Sequence, residues 1–439
     1  MHKSRWSLSL FAAVVLALSI LSCNIPSPTV GPPPNTVTPY SPPTLPPSGG
    51  EPTAPPPGGE TPGSPTEPPP PPTEPPPSGW LPEGTFALYT HGTWESAQLY
   101  ALTPGPTPVD LGRAVGRPTS MSRTGRWIAH GVGSPATSIT IISLETGTIH
   151  NVPLTADFTL YGSAFDHTDS RLAFMELGGS GSGTGTYTWA IVVVNLADGS
   201  TTRFEKSFTS PITPGDMLPG RPFGWSAASS ELLIDTFLPD SGGFFGGVWA
   251  ISIPFGAPSA ALDTLSRREL IAAGDYSSEP RVSPTGTRIL YLRLEPGYTP
   301  AGYAPMGPDF PVNQLWDMDI ATGAPTRLVN VDDGGALAQD AAWIQGIPHT
   351  LFAQGNYAGA SFGSLTLKRR DNAGSITDVG AVPLPAGGNL LAIDGCLPDL
   401  ALLTVVNASY DAELHVADFA GGSTLVTSAR TIFVLGCVP

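Results

Sequence analysis

Basic residues and cysteines are scarce in this 439-residue sequence. Lys and Arg number 20 against 36 Asp and Glu, so the formal net charge is −16, and charged residues make up only 13% of the chain. A nucleic-acid-binding protein usually carries a basic patch or stripe, which this composition argues against. Three cysteines are too few for a disulfide-rich scaffold. We therefore expect an ordinary hydrophobic core and no nucleic-acid partner.

The N-terminal hydrophobic run is short for a transmembrane helix. It covers residues 8–21, whereas a membrane-spanning helix needs about 20 apolar residues. Lys3 and Arg5 precede it, which is the order of a secretory signal peptide. The run ends in Ile-Leu-Ser before Cys23, and this ending resembles a bacterial lipobox. The resemblance implies a signal peptide at 1–22, a lipid on Cys23 and an extracytoplasmic location on the cell membrane or outer membrane. The alternative is a secreted protein with an incidental cysteine.

Residues 23–82 are dominated by proline and contain no Lys or Arg. Thr-Glu-Pro-Pro-Pro occurs at residues 66–70 and again at 73–77. Such segments favour polyproline II and act as semi-rigid spacers. We expect a disordered linker that holds the domain at 83–439 away from the membrane. A ligand for aromatic-lined grooves is the alternative.

From residue 83 onward the sequence repeats a turn followed by an alternating strand. Three such segments lie at residues 122–129, 166–174 and 283–291. Residues 283–286 read Ser-Pro-Thr-Gly, in which Pro presets φ and Gly tolerates a positive φ. Further strand signals, each ending in Thr-Gly or Asp-Gly, lie at residues 139–147, 191–199 and 315–323. One unit is therefore about four strands, with no amphipathic helix between them.

These units resemble the TolB-like or WD40-like (PD40) propeller repeat, although Thr285 stands where the family usually has Asp. The resemblance covers about residues 83–439. It implies an all-β fold, a β-propeller of four-stranded blades, and it specifies a blade rather than an activity.

The number of units predicts how the ring closes. Weaker units begin near residues 223–226, 342–345 and 391–394, so we expect six inner strands. The strands after the linker have no inner strand before them. Residues 432–439 parallel residues 391–398, and both segments end in Gly-Cys-x-Pro. The C-terminal strand would then complete the first blade and remove open sheet edges. This count predicts seven blades, while six or eight also fit because long inserts blur the boundaries.

Cys396 and Cys437 occupy the same position in two units that closure would make neighbours. An extracytoplasmic protein meets an oxidising compartment, so a disulfide is the favoured hypothesis. Two buried free thiols are the alternative.

The sequence contains only incomplete matches to catalytic and metal-binding motifs. Residues 359–363 match Gly-x-Ser-x-Gly, but a strand follows where a nucleophile elbow needs a helix. The seven His residues show no zinc-binding spacing. Asp317, Asp319 and residues 332–334 lack the remainder of a calcium loop. The sequence thus assigns no catalytic, metal-binding or cofactor-binding residue.

Two classes of function remain open. The favoured one is a membrane-anchored, non-enzymatic propeller that binds a protein or an envelope component. The acidic balance favours basic partners and disfavours DNA and anionic lipid. The alternative is carbohydrate or small-molecule binding, or hydrolase or lyase activity, in the central channel. That alternative requires several His, Asp, Glu or Arg side chains at one channel mouth.

Overall fold

The structure is a computed structural model, which describes residues 81–438 except 94–96, 105–106, 117–118, 180–185, 210–217, 238–245, 277–279, 304–310 and 360. These residues belong to one compact unit, Thr73–Pro439. They form seven antiparallel sheets, and the described part contains one single-turn helix. We call each sheet a blade and name its strands A to D from the channel outward.

The strands run through the blades in chain order, and the last strand returns to the first blade. Blades 1 and 2 contain β1 (Ala87–Gly92), β2 (Ala97–Leu102), β3 (Val109–Val115), β4 (Thr119–Met121), β5 (Trp127–Val132), β6 (Ser138–Ser143) and β7 (Ile149–Pro153). Blades 3 and 4 contain β8 (Phe158–Phe165), β9 (Arg171–Gly179), β10 (Thr186–Asn195), β11 (Thr201–Thr209), β12 (Gly220–Trp225), β13 (Glu231–Thr236), β14 (Val248–Ser252), β15 (Ala260–Ala261), a 3-10 turn (Leu262–Thr264) and β16 (Arg267–Ile271). Blades 5 to 7 contain β17 (Arg281–Val282), β18 (Arg288–Arg293), β19 (Gln314–Asp319), β20 (Pro325–Asn330), β21 (Ala336–Trp343), β22 (Thr350–Ala358), β23 (Ser361–Arg370), β24 (Ile376–Ala381), β25 (Asn389–Leu397), β26 (Leu400–Val406), β27 (Ala412–Asp418) and β28 (Ser423–Ala429). The final strand, β29 (Thr431–Cys437), is strand A of blade 1.

The C-terminal strand closes the ring. β29 pairs antiparallel with β1, with Thr90 opposite Phe433. The A strands then contact one another in a complete circle, in the order β29, β4, β8, β12, β17, β21, β25 and back to β29. The predictions of seven four-stranded blades and of closure by the C-terminal strand are confirmed.

The repeated turn joins strand A to strand B. The Ser283 hydroxyl accepts hydrogen bonds from the backbone N–H groups of Thr287 and Arg288, at 3.2 and 3.1 Å. The Asp166 carboxylate holds the equivalent turn in blade 3 by accepting from the N–H groups of Ser170 and Arg171. In these clear units the alternating strand after the turn is strand B. The inner strand, strand A, is the shorter segment that precedes the turn.

The core lies between the faces of neighbouring blades. Leu88 and Leu99 of blade 1 are completely buried in one cluster with Ile128 and Ile142 of blade 2. Equivalent clusters fill the spaces between later blades, and the space between blades 7 and 1 has one of its own. Strands buried on both faces explain why many B and C strands read as continuous apolar runs.

A disulfide joins Cys396 to Cys437 across the point of closure. Cys396 lies in β25 of blade 7 and Cys437 in β29 of blade 1, with their Cα atoms 4.9 Å apart. That separation lies within the usual range for a disulfide. The bond therefore links the last blade covalently to the closing strand.

One strand departs from the four-stranded pattern. β15 lies in the long connection between the C and D strands of blade 4, yet it pairs in parallel with β11 of blade 3. Ala260 lies opposite Phe204 and Ala261 opposite Glu205. Blade 3 is therefore five-stranded, and blades 3 and 4 are joined at their outer edges as well as at the channel.

The predicted signal peptide, Cys23 and the proline-rich linker up to residue 80 lie outside the described residues. Within the part that is described, no helix has the length and apolar character needed to cross a membrane.

Candidate functional site

The A strands surround a central cavity of about 520 Å³. All seven blades contribute lining residues, among them Phe223, Trp343, Arg281 and Asp394. Ligand sites in proteins commonly enclose about 300–1,000 Å³ and combine apolar walls with a few polar groups. The cavity thus has the size and composition of a small-ligand site.

A three-residue ion-pair network crosses the channel wall. Arg281 of β17 donates from Nε and Nη2 to both carboxylate oxygens of Asp340, at 3.0 and 2.7 Å. Its Nη1 donates to Asp394 of β25 at 2.8 Å. Because these residues come from blades 5, 6 and 7, the guanidinium fastens three neighbouring inner strands together.

Asp340 is the most deeply buried member of this network. Burial raises its pKa to about 6, the nearby Asp394 carboxylate adds to the increase, and Arg281 opposes it. Its Oδ2 also accepts a hydrogen bond from the Ile393 backbone N–H at 2.6 Å. These contacts hold the carboxylate rigidly, so the network acts as a fixed part of the channel wall.

The two ends of the channel differ because alternate connections lie at opposite ends of the blades. We call the end with the B-to-C and D-to-A connections the upper face, and the end with the A-to-B and C-to-D turns the lower face. At the lower face, exposed Arg123 and partly exposed His167 line the cavity mouth. The Nε2 of His167 donates to the Trp225 carbonyl at 2.9 Å. Burial lowers the pKa of His167, which favours the neutral ring.

The upper mouth carries exposed apolar side chains. Leu391, Phe433 and Tyr161 lie near the beginning of A strands and are 54%, 40% and 36% exposed. Phe433 precedes Leu435, which lines the cavity, by two residues in the same A strand. At the same face, Tyr410 in the B-to-C connection of blade 7 is 75% exposed. We call Tyr161, Leu391, Tyr410 and Phe433 the apolar arc.

Carboxylates occur in the connections around the upper mouth, most of them on blades 4 to 6. The described D-to-A and B-to-C connections contain six acidic residues: Asp157, Asp275, Glu295, Asp332, Asp333 and Asp411. Among the described residues of these connections, Arg430 is the basic one. The upper face thus combines an acidic rim with an exposed apolar mouth.

The sequence motifs considered for chemistry have structural roles. In the Gly-x-Ser-x-Gly match, Gly359 lies between β22 and β23 and Ser361 begins β23, so a strand follows the serine as predicted. Asp317 binds Arg288 at 2.5 and 2.6 Å, and Asp319 accepts from Thr322 in a turn. Among the described residues, no group of three or more His, Cys, Asp or Glu side chains could hold a metal ion.

Neither the Arg281 network nor the apolar arc was predicted from the sequence. Arg281 directly precedes the Ser-Pro-Thr-Gly turn, and Leu391, Asp394 and Phe433 lie in the paired C-terminal segments. These positions could have marked the residues as belonging to A strands. Which of them face the channel depends on strand bulges that the sequence pattern does not reveal.

Comparisons with known proteins identify similar folds only. No family model matches the sequence, and no curated protein matches it. An oligogalacturonate lyase from Vibrio parahaemolyticus is 12% identical, with a TM-score of 0.44 over 80% of this chain and 92% of the lyase chain. The Cps50 (Swd1) β-propeller domain from Myceliophteria thermophila is 9% identical, with a TM-score of 0.43 over 72% and 86% of the two chains. TolB from Acinetobacter baumannii is 13% identical, with a TM-score of 0.38 over 66% and 62%.

Proposed function

We propose that this protein is a lipid-anchored, extracytoplasmic scaffold whose propeller binds a protein or an envelope component through its upper face. The apolar arc carries this proposal. Four large apolar side chains, each more than a third exposed, are brought to one end of the channel by three different blades. Exposed apolar surface rimmed by polar residues often marks an interaction site.

The rigidity of the surrounding wall supports a binding role. The Arg281 network joins three inner strands, and the disulfide joins blade 7 to the closing strand. A surface that is already ordered loses little conformational entropy when a partner binds. A preformed rim therefore suits a scaffold that presents the same face to its partner each time.

The anchor part of the proposal rests on sequence. The charged N-terminus, the apolar run and Cys23 occur in the order of a lipoprotein signal, and a proline-rich segment follows. Stable anchoring usually requires more than one acyl chain or a second membrane signal. Replacement of Cys23 by Ser should release the protein from the membrane fraction of its native cells, whereas a protein that stays in that fraction would contradict the anchor.

Site-specific photo-cross-linking in native cells tests the binding role. A photoreactive phenylalanine analogue replaces Tyr410 on the upper face in one strain. In the control strain it replaces Phe255, which is 67% exposed on a C-to-D connection at the lower face. We expect a discrete cross-linked envelope protein from position 410 that is absent from position 255. Equal patterns from both positions, or none from either, would refute the assignment of the upper face.

Ligand binding in the channel is the second candidate. The 520 Å³ cavity places Trp343 and Phe223 near Arg281 and Asp394, a combination that can stack on and hydrogen-bond to a sugar or small molecule. Native mass spectrometry of the purified full-length protein tests it. A co-purifying small molecule that is lost when Trp343 is replaced by Ala, together with no cross-link at position 410, would favour this candidate.

A further inference from the structure

We infer that the occupant of the upper face is a cationic polypeptide segment with apolar side chains, which rests on the proposed function and specifies its partner. The apolar part of the segment would contact the apolar arc, and its Lys or Arg side chains would face the carboxylates of blades 5 and 6. The inference depends on how the two halves of the mouth differ.

The apolar half is contributed by blades 7, 1 and 3. Leu391 lies on β25 and Phe433 on β29, and these two strands contact each other. β29 in turn contacts β4, which contacts β8, the strand that holds Tyr161. The Tyr161 ring packs on Phe237 with centroids 5.4 Å apart, yet remains 36% exposed. This half therefore offers apolar side chains on the adjacent blades 7 and 1 and, beyond blade 2, on blade 3.

The acidic half lies across the channel, on blades 5 and 6. Tyr298 connects the two segments that carry Glu295, Asp332 and Asp333: its hydroxyl donates to the Gly335 carbonyl at 2.7 Å, beside Asp332 and Asp333, and its backbone N–H donates to the Glu295 carbonyl at 3.0 Å. The hydrogen bonds to these three carboxylates come from amide groups: Asn313 to Glu295, Asn330 to Asp332 and the Gly335 N–H to Asp333. Within the described chain, none of the three forms an ion pair with Lys or Arg, unlike Asp275, which binds Arg293 at 3.0 Å.

The negative charge of the upper face favours one of its possible occupants over the others. The chain's own residues 24–82 contain no Lys or Arg and carry Glu51, Glu60, Glu67 and Glu74, so the linker has the same sign as the rim. A second copy would bring an identical acidic face against this one. Anionic lipid headgroups would also be repelled. A cationic segment is the occupant whose charge complements the rim, and apolar side chains match the arc.

Peptide probes test the chemistry directly. The full-length protein is titrated with a fluorescent 15-residue peptide built from Lys, Leu and Gly, and with two variants in which Glu replaces Lys or Ser replaces Leu. We expect the first peptide to bind and each variant to bind at least tenfold more weakly. Its affinity should fall as salt rises, because screening weakens the charge contacts.

Matched protein variants separate the rim from the overall negative charge. Asp332→Lys with Asp333→Asn makes the acidic half three charge units more positive, and the amide oxygen that the second substitution introduces can still accept from the Gly335 N–H. Glu145→Lys with Asp399→Asn makes the same change at exposed positions on the lower face. We expect about a tenfold loss of peptide affinity from the first pair and less than a twofold change from the second. Equal losses would mean diffuse attraction and would overturn the inference.

The outcomes distinguish the inference from the proposed function. If position 410 cross-links to a partner whose contacting segment lacks Lys and Arg, the scaffold role stands and the cationic segment is refuted. If position 410 gives no partner, the assignment of binding to the upper face fails, and the inference fails with it. A cross-linked partner whose contacting peptide contains both basic and apolar residues, and whose cross-link disappears in the Asp332 and Asp333 variant, supports both.

Discussion

Replacing Arg281 by Met should destabilise the propeller by about 3 kcal/mol at pH 7.5. The substitution removes three charge-assisted hydrogen bonds and leaves Asp340 and Asp394 facing each other without a cation. Breaking a buried ion pair by removing one partner costs about 3–5 kcal/mol. The lower end applies here because the Arg281 side chain is 32% exposed.

The loss of stability in Arg281→Met should depend on pH, because it depends on whether the Asp340 carboxyl is ionised. In the native protein its pKa is raised to about 6 from 3.8. A raised carboxyl pKa contributes stability that is fully present below the unfolded pKa and is lost as pH rises through about 6. Without Arg281 the pKa of Asp340 rises further, and each additional unit costs about 1.4 kcal/mol at neutral pH. At pH 5 the carboxyl is protonated, so the cost should fall to about 1–2 kcal/mol.

Urea unfolding of the full-length chain, followed by tryptophan fluorescence at both pH values, measures these changes. Arg126→Met is the control, because Arg126 and Glu145 are each 62% exposed and such pairs contribute about 0–1 kcal/mol. The double variant Arg281→Met with Asp340→Asn should recover much of the loss, since Asn carries no charge and can still accept from the Ile393 N–H. A cost below 1 kcal/mol at pH 7.5, or the same cost at both pH values, would refute this account.

Three further predictions concern the joints between blades. Replacing both Cys396 and Cys437 by Ser should lower the free energy of unfolding by about 3–4 kcal/mol, the chain-entropy estimate for a 41-residue separation; an unchanged urea midpoint would contradict it. Gly286→Ala should lower the free energy of unfolding in urea by about 1–3 kcal/mol, because φ at this position is +69° and a Cβ would clash with the His167 ring. Gly256→Ala is the control and should cost less, because there is open space around that position. Trp225→Phe should lower the free energy of unfolding by about 2–3 kcal/mol, because it removes the buried hydrogen bond from the indole N–H to the Ala164 carbonyl at 3.1 Å and leaves a cavity. An unfolding temperature equal to that of the wild-type protein would contradict this prediction.

Local turn chemistry and internal parallels made much of the fold predictable. The Ser-Pro-Thr-Gly turn forms within a few residues, since the Ser283 hydroxyl and the positive φ of Gly286 act on the turn itself. Closure was predictable because residues 391–398 and 432–439 share one pattern. The short A strands were harder to place. β17 contains only two residues, too few for an alternating pattern to show.

The channel wall was not predictable because bulges change the direction of side chains. The pairing of β21 with β22 shifts between Leu337 and Ala341, and the pairing of β25 with β26 shifts on both sides of Ile393. A bulge moves the following residues to the opposite face of the strand. Asp340 and Asp394 therefore cannot be oriented by counting along the chain, and their shared partner Arg281 lies 59 and 113 residues away.

The closing pairing of β29 with β1 also determines how the domain would respond to a mechanical load. Any tension transmitted along the chain from its N-terminal side enters the domain at β1, which is hydrogen-bonded to β29 on one side and to β2 on the other. A pull along β1 would load both ladders in shear, so many hydrogen bonds would have to break together, whereas an edge strand could be peeled away one bond at a time. Because forced unfolding is governed by the rate of unfolding, this arrangement should give the propeller a long lifetime under sustained tension.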